Sequence, residues 1–337
     1  MGLTITRPEV AYPPGWKPVL VVVVDTEEEF DWSLPLDRNS TSVRAMAAVD
    51  CAQRIFDQYG VRPTYAIDYP VATQREGWAP LKEIHSSGRC EIGAHLHPWV
   101  NPPHEEHVNY RNSYTSNLPL PLAAAKLRQL GDAIGAAFGA RPRSFKAGRY
   151  GISDAMVPIL KEEGYEVDLS TAPPFDWRDD GGPDFTHSPL DCFWMGPSDP
   201  VMKAQPMLGI PTTGAFVGWA NCCAPPLYRA VSGRLGRTLR AAGVMARLGM
   251  VDRLRLSPEG FTHQEHRKLT RFLLGRGVGA FTFSFHSPSL KPGHTEYVRS
   301  TAELGAFLDL FRRYFDFFFG ELGGRAMTAL ELKRALA

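Results

Sequence analysis

The sequence V-L-V-V-V-V occupies Val19 to Val24 and runs straight into Asp25-Thr26-Glu27-Glu28-Glu29-Phe30-Asp31-Trp32. Every residue of the run except Leu20 is β-branched, which favours extended backbone. The run is too short to cross a bilayer. A strand apolar on both faces belongs between two packed layers, which is the environment of a parallel sheet. Parallel α/β folds carry their chemistry at the carboxyl ends of such strands. Five carboxylates sit at that end here. Asp25 abuts the valines, and Glu27 shares its face if the strand continues. Glu28 and Glu29 read as a solvated acidic loop.

The remaining pattern repeats strand and helix. Ser42–Tyr59 has apolar residues at helical spacing and is closed by Gly60. Val61–Ile67 reads as a strand with Asp68 after it, and Ala79–Ser86 as a short helix. Leu122–Phe138 is an Ala/Leu-rich helix, Ser153–Glu163 another, and Tyr165–Leu169 a strand carrying Asp168. Leu208–Pro211 and Ala215–Trp219 read as short strands. Ser257-Pro258 is expected to open a helix reaching about Leu274. Ala280–Phe285 alternates phenylalanine with small residues and delivers His286; Ala302–Phe319 is an aromatic helix that packs as the last layer. This alternation implies βα units and a parallel sheet. No linker separates two cores, so residues 1–337 are read as one domain, with a peripheral basic helical insertion at about 224–250. Asn101–Leu120 is a polar, Pro- and Asn-rich loop over the carboxyl end of the sheet.

Cys90–Trp99 reads C-E-I-G-A-H-L-H-P-W. With a period of two, Ile92, Ala94 and Leu96 face one way and His95 and His97 the other. Pro98 ends the strand. Two imidazoles aimed the same way can grip one divalent ion, since neutral imidazole is the commonest protein metal ligand. The plainer alternative is two histidines bonded to neighbouring backbone or carboxylate. His104 and His107 are candidate third nitrogen ligands, each also readable as exposed loop histidine.

Bulk properties exclude several classes. The 37 basic and 36 acidic residues leave a net charge of +1, so nothing suggests a nucleic-acid or membrane field. No stretch is long and apolar enough for a membrane span. The five cysteines have no C-x-x-C spacing, which argues against a disulfide framework or thiolate zinc site. With no leader-like N-terminus, a reducing, cytoplasmic location is expected.

Four motifs at inferred strand ends, D-T-E-E-E-F-D-W, E-I-G-A-H-L-H-P-W, F-K-A-G-R-Y-G and F-S-F-H-S-P-S-L, appear in an order that resembles the polysaccharide deacetylase superfamily. The resemblance spans Val19 to about Leu290. It implies a distorted (β/α)7 barrel with outer helices and a single Zn2+ or similar divalent ion. It further implies Asp25 as catalytic base and Glu27, His95 and His97 as ligands. Lys146, with Arg149 as its substitute, would orient the base. His286 would be the proton donor, partnered by Asp168 or alternatively Asp176. A backbone N–H near Tyr150 would help hold the oxyanion. Three departures stand out. Glu occupies the ligand place, so the roles of Asp25 and Glu27 are exchangeable. The histidines are two apart rather than four. Lys146 replaces an arginine and loses its bidentate fork. Trp32, Tyr69, Trp99, Tyr150 and Trp219 are candidate flat faces for a sugar.

The expected function is metal-dependent removal of acetyl groups from a carbohydrate or glycan precursor. The alternatives are hydrolysis of a non-sugar C–N bond on the same barrel and a non-catalytic glycan-binding barrel. The expected partner is a carbohydrate substrate, with no nucleic acid and no membrane span.

Overall fold

The structure, a computed structural model, describes residues 9–29, 34–196, 206–221 and 248–337, with residues 224, 225, 228 and 245. The expected helical insertion at about 224–250 therefore lies mostly outside the described residues, as does Trp32.

Strands β1 (Val19–Thr26), β2 (Thr64–Ile67), β3 (Glu91–Leu96), β4 (Ser144–Ala147), β5 (Val167–Asp168), β6 (Phe193–Met195) and β7 (Met207–Gly209) precede a small two-stranded sheet, β8 (Gly214–Val217) and β9 (Asp252–Arg255). They are followed by β10 (Ala280–His286) and β11 (Arg325–Ala326). The main sheet runs β10-β1-β2-β3-β4-β5-β7-β6, with β11 beside the start of β1. Every pairing from β10 to β7 is parallel; β6 is antiparallel to β7. The sheet curls into a distorted barrel. Between β7 and β10 the wall is closed without a ladder. Thr282 N donates to Thr213 Oγ1 at 2.7 Å, and Thr282 Oγ1 donates to the Pro211 carbonyl at 2.9 Å.

The valine run behaves as its composition requires. Leu20, Val22 and Val24 pack outward with Met46, Phe56 and Phe283, whereas Val19, Val21 and Val23 pack with Ala66, Val167 and Leu208. The helices that cover the outer face include α1 (Val49–Gln58), α2 (Tyr69–Thr73), α3 (Arg75–Ser86), α4 (Leu120–Phe138) and α5 (Val157–Glu162). After them come α6 (His263–Leu274) and α7 (Thr301–Phe315), whereas α8 (Ala329–Leu336) packs with the inward set at the amino ends of the strands. On β10, Phe283 and Phe285 point outward onto α7, with ring centroids 5.2 Å and 4.9 Å from Phe311. Fully burying each such ring contributes about 1.5–3 kcal/mol. The aromatic stripe of α7 is thus core, as the sequence implies.

One helix begins later than its sequence suggests. The start of α6 is not at Ser257 but at His263, behind a capping box in which Thr262 and Glu265 satisfy each other's backbone N–H. Ser257 to Phe261 is left as a loop, with Gly260 at φ +83°. That shift leaves Glu259 in the loop, where it reaches His286.

Candidate metal and catalytic centre

Strand register brings the site together. Asp25 on β1 lies beside His286 on β10, and His95 on β3 lies beside Lys146 on β4. In a parallel sheet, register neighbours point to the same face, so these side chains converge on the barrel interior at its carboxyl end. They line a cavity of about 40 Å³ with Glu27, His97, Ala147, Arg149 and Tyr150. Wider clefts occur elsewhere, such as one of about 660 Å³ lined by Trp16 and Arg325, but that surface lacks this carboxylate–imidazole set.

His95 Nε2 and His97 Nε2 lie 3.2 Å and 3.4 Å from the same oxygen, Glu27 Oε2. All three residues are at most 3 % exposed. His95 Nδ1 faces the Lys146 carbonyl at 3.1 Å and must donate to it, which leaves the Nε2 lone pair aimed at Glu27. His97 Nδ1 bonds Glu28 Oε2 at 2.8 Å, and when Glu28 is ionised Nδ1–H is the donor and the Nε2 lone pair is likewise aimed at Glu27. Burial pulls both imidazoles down, His97 to about 4. Two neutral nitrogen lone pairs therefore converge on one carboxylate oxygen. A proton satisfies only one of them; a divalent cation satisfies both. The donor set of one carboxylate and two imidazoles, with room for an exchangeable position, suits zinc or a related ion.

Glu28 is a correction to the sequence reading. It is fully buried, not a solvated loop residue. Its carboxylate accepts from His97 Nδ1 and from Trp99 Nε1 at 2.9 Å, and its backbone N–H donates to Asp68 Oδ2 at 2.7 Å. Asp68 Oδ1 in turn caps α2 through the Val71 N–H at 2.8 Å. Histidine ligands commonly have their far nitrogen fixed by a carboxylate in this way. Burial pushes Glu28 up to about 8, and a cation on the other side of His97 favours its ionised form. Glu28, Asp68 and His97 also lie close enough to form a second ligand trio. Those oxygens are already bonded to protein donors, so Glu27, His95 and His97 are the better cage.

Asp25 and Lys146 form a buried ion pair, with Nζ 2.6 Å from each carboxylate oxygen. Burial alone would raise the Asp25 carboxyl, but the Lys146 ammonium, helped by His95 and His286, outweighs it and holds the group at about 2. Lys146 is shifted upward by the same contact against the pull of burial. Arg149, the expected substitute, does something else. It bonds Ser113 Oγ at 3.1 Å and Tyr114 Oη at 2.9 Å, and stacks on the Tyr114 ring. It fixes the 101–120 loop to the cavity rim while Lys146 holds Asp25.

His286 Nε2 lies 3.7 Å from Asp25 Oδ2, and its side chain is 24 % exposed, unlike the buried groups around it. Its Nδ1 bonds Glu259 Oε2 at 2.7 Å, and its backbone N–H donates to Glu259 Oε1 at 3.1 Å. Ser289 Oγ also donates to Glu259 Oε1 at 2.6 Å. Burial would lower the imidazole, but Glu259, then Glu27 and Asp25, lift it well above its ordinary value. The expected partners are thereby corrected. Asp168 accepts from Ser170 Oγ at 2.6 Å and from Ser170 N, and Ser170 Oγ takes the Ala147 N–H. Asp168 thus braces the end of β4. Asp176 pairs with Arg178 at 2.7 Å. The signal for Glu259 was present in Thr262-His263-Gln264-Glu265, whose capping-box spacing starts the helix after Glu259 and frees that residue to turn inward.

Directly after Lys146 and Ala147 the backbone turns tightly against His97. A Cβ at Gly148 would lie 2.3 Å from His97 Cδ2 and 2.6 Å from the Leu96 carbonyl, so only glycine fits there. Arg149 and Tyr150 follow at φ +51° and +60°, a cost of the order of 1–3 kcal/mol each that is characteristic of functional sites. His104 and His107 are exposed on the loop and are not in the cavity. Trp99 is buried and stacked on His97, with centroids 4.3 Å apart, so it is wall rather than a sugar face. Tyr150 does face the site. It extends into a column with Trp177 and Phe175, at 6.0 Å and 5.3 Å between successive centroids.

No protein-family model matches the chain, and no curated protein does. Solved structures match its fold. A Mycobacterium smegmatis protein described as a polysaccharide deacetylase aligns with a TM-score of 0.51 and 17 % identity, over 90 % of this chain and 87 % of its own. The PuuE allantoinase aligns with a TM-score of 0.59 and 13 % identity, over 98 % and 94 %. A 4-alpha-glucanotransferase of Thermococcus litoralis reaches 0.52 at 10 % identity, over 95 % of this chain but 40 % of its own. Three activities on one architecture show that fold alone does not assign chemistry. At these identities the likeness is one of fold: the chain is a distorted α/β barrel of the kind seen in the M. smegmatis protein and the allantoinase.

Proposed function

We propose that this protein is a metal-dependent hydrolase that removes an acetyl group from a carbohydrate. The observation that carries the reading is the convergence of two neutral imidazole nitrogens on Glu27, flanked by a charged Asp25–Lys146 pair and a His286–Glu259 pair. Glu27, His95 and His97 would hold the ion, which supplies Lewis acidity to acidify water and polarise a carbonyl. Asp25, kept ionised by Lys146, is the base that takes a proton from the attacking water. The turn at Arg149 and Tyr150 offers backbone N–H groups to the developing oxyanion, where a single donor is worth about 3–4 kcal/mol. His286, kept cationic by Glu259, gives its proton to the departing amine or alcohol. Because Glu259 and Asp25 flank it from opposite sides, the imidazole can pass a proton without rotating. Asp168 acts by bracing the end of β4, and Arg149 by fixing the loop at the rim.

A second reading is hydrolysis of a small non-sugar amide or ureide. The tight cavity, about 40 Å³, favours it. The test is acetate release from N-acetylglucosamine oligomers and O-acetylated xylan, with allantoin as the competing substrate, before and after chelation. The proposal expects acetate from at least one sugar, lost on chelation and restored by zinc or cobalt. Turnover of allantoin alone selects the second reading, and chelator-resistant turnover refutes metal dependence.

A further inference from the structure

Strand β9 places Arg253 and Arg255 on one face, two residues apart. The Arg253 guanidinium lies over Phe175 and Tyr228, with Cζ 4.4 Å and 4.8 Å from the ring centroids. The Arg255 guanidinium lies over Phe175 and Tyr150 at 4.5 Å and 5.1 Å. Among the described residues neither is within ion-pair distance of a carboxylate, although Arg143, Arg149, Arg178 and Arg267 all are. Arg255 Nε and Nη2 are buried donors without an acceptor among the described residues, and so is Trp177 Nε1 on the neighbouring ring. A buried donor left unpaired is costly, and three of them surround one aromatic column. The sequence between β8 and β9, residues 218–251, contains five arginines and no Asp or Glu, so that connection cannot neutralise the pair.

Planar guanidiniums locked on aromatic faces, with free N–H groups in a fork, match the oxygens of a carboxylate or phosphate. The pair adjoins the catalytic cavity through Tyr150, whose ring carries Arg255 and also Lys146 Nζ, 5.3 Å from its centroid. It is also tied to the chemistry in sequence, since β9 runs on through Leu256 to Glu259. Leu256 N–H donates to the Thr213 carbonyl at 2.9 Å and its carbonyl accepts from Ser284 N–H at 3.3 Å, which fixes that segment against the barrel wall.

We propose that Arg253 and Arg255 bind an oxyanion of the substrate, a carboxylate or a phosphate monoester, so that the hydrolase takes a negatively charged acetylated sugar rather than a neutral one. The substrate assignment rests on the hydrolase reading of the adjoining cavity; the anion site itself does not. The test is calorimetric titration of the full-length protein with inorganic phosphate, N-acetylmuramic acid, N-acetylglucosamine 6-phosphate and neutral N-acetylglucosamine. It is run on wild type, Arg255→Gln, Arg255→Lys and the ligand variant His95→Ala, with circular dichroism as a folding control. The expected result is saturable, salt-sensitive binding of the anions at least about tenfold tighter than the neutral sugar. Arg255→Gln should lose about 10- to 100-fold of the anion affinity and leave the neutral sugar unchanged, with Arg255→Lys in between. Anion binding should persist in His95→Ala, which separates it from coordination by a metal. The tighter of the two charged sugars identifies carboxylate or phosphate. Equal affinity for charged and neutral sugars, no saturable anion binding, or a folded Arg255→Gln with unchanged affinity overturns the site. Metal-dependent acetate release without charge discrimination refutes this inference and leaves the hydrolase standing; anion binding without metal or turnover does the reverse.

Discussion

Lys146→Met removes one charge from a pair that is nearly sealed from water, with side chains 2 % and 5 % exposed. Stripping one partner from a buried pair costs about 3–5 kcal/mol. At roughly 2–4 °C per kcal/mol for a domain of about 150–250 residues, and less for this longer chain, Tm should fall by about 6–10 °C. On the proposed mechanism the charge also sets the base. With Lys146 gone, burial raises the Asp25 carboxyl, so the low-pH limb of the rate profile should move up toward neutrality and kcat should fall by about 10²- to 10⁴-fold. The sign of the stability change with pH follows from linkage. In wild type the depressed Asp25 pKa contributes stability that is full above its unfolded value and is lost as pH falls toward about 2. In the variant a raised pKa reverses this, and protonation on acidification relieves the buried charge. The Tm deficit relative to wild type should therefore be larger at pH 8 than at pH 5. Scanning calorimetry at the two pH values and a pH–rate series measure this. A Lys146→Met protein with unchanged Tm and turnover, or with the same deficit at both pH values, refutes the argument. Lys146→Arg keeps the charge but adds volume to a closed slot, so it should retain turnover at a smaller cost in stability.

His286→Ala should keep bound metal and lose about 10²- to 10⁴-fold in kcat, with a smaller loss for an activated acetyl ester, whose leaving group needs less protonation; equal losses would assign His286 a structural role. Glu259→Gln removes the main support for the imidazolium, so the high-pH limb of the rate profile should shift to lower pH, and a profile superimposable on wild type would contradict the pairing. The raised His286 pKa also contributes stability below its unfolded value of about 6.5 that disappears as pH rises through the folded value, and Glu259→Gln should flatten that dependence in thermal melts. Glu28→Gln leaves the ligands in place but loosens His97, so metal affinity measured by competition with a chromophoric chelator should drop about 10- to 100-fold; an unchanged affinity would make Glu28 a packing residue.

Much of this was legible in the sequence because period-two patterns and strand ends are local. The valine run, the paired histidines and the phenylalanine face of β10 each fixed which way a side chain points. Lys146 beside Asp25 followed from charge at two strand ends. What was not legible depended on loops whose direction is set by tertiary contact. Glu28 reads as a third exposed acid, and only the curl of the chain after β1 buries it against His97 and Trp99. Glu259 was hidden by a helix start placed at Ser257-Pro258, although the Thr262–Glu265 capping box marked the true one. Asp168 sits on an inferred strand end like Asp25 and His286, but Ser170 folds back and takes both of its oxygens as acceptors. Arg149 has the charge for the Lys146 role, yet the left-handed turn after Gly148 carries it to the rim.

The central claim is that Glu27, His95 and His97 hold one divalent ion. Crystals of the protein grown with zinc, with diffraction recorded on both sides of the zinc absorption edge, test it directly. The account predicts one anomalous peak per chain about 2.0–2.2 Å from Glu27 Oε2, His95 Nε2 and His97 Nε2, absent from His95→Ala. A peak among Glu28, Asp68 and His97, or no peak in the wild-type barrel, would contradict it.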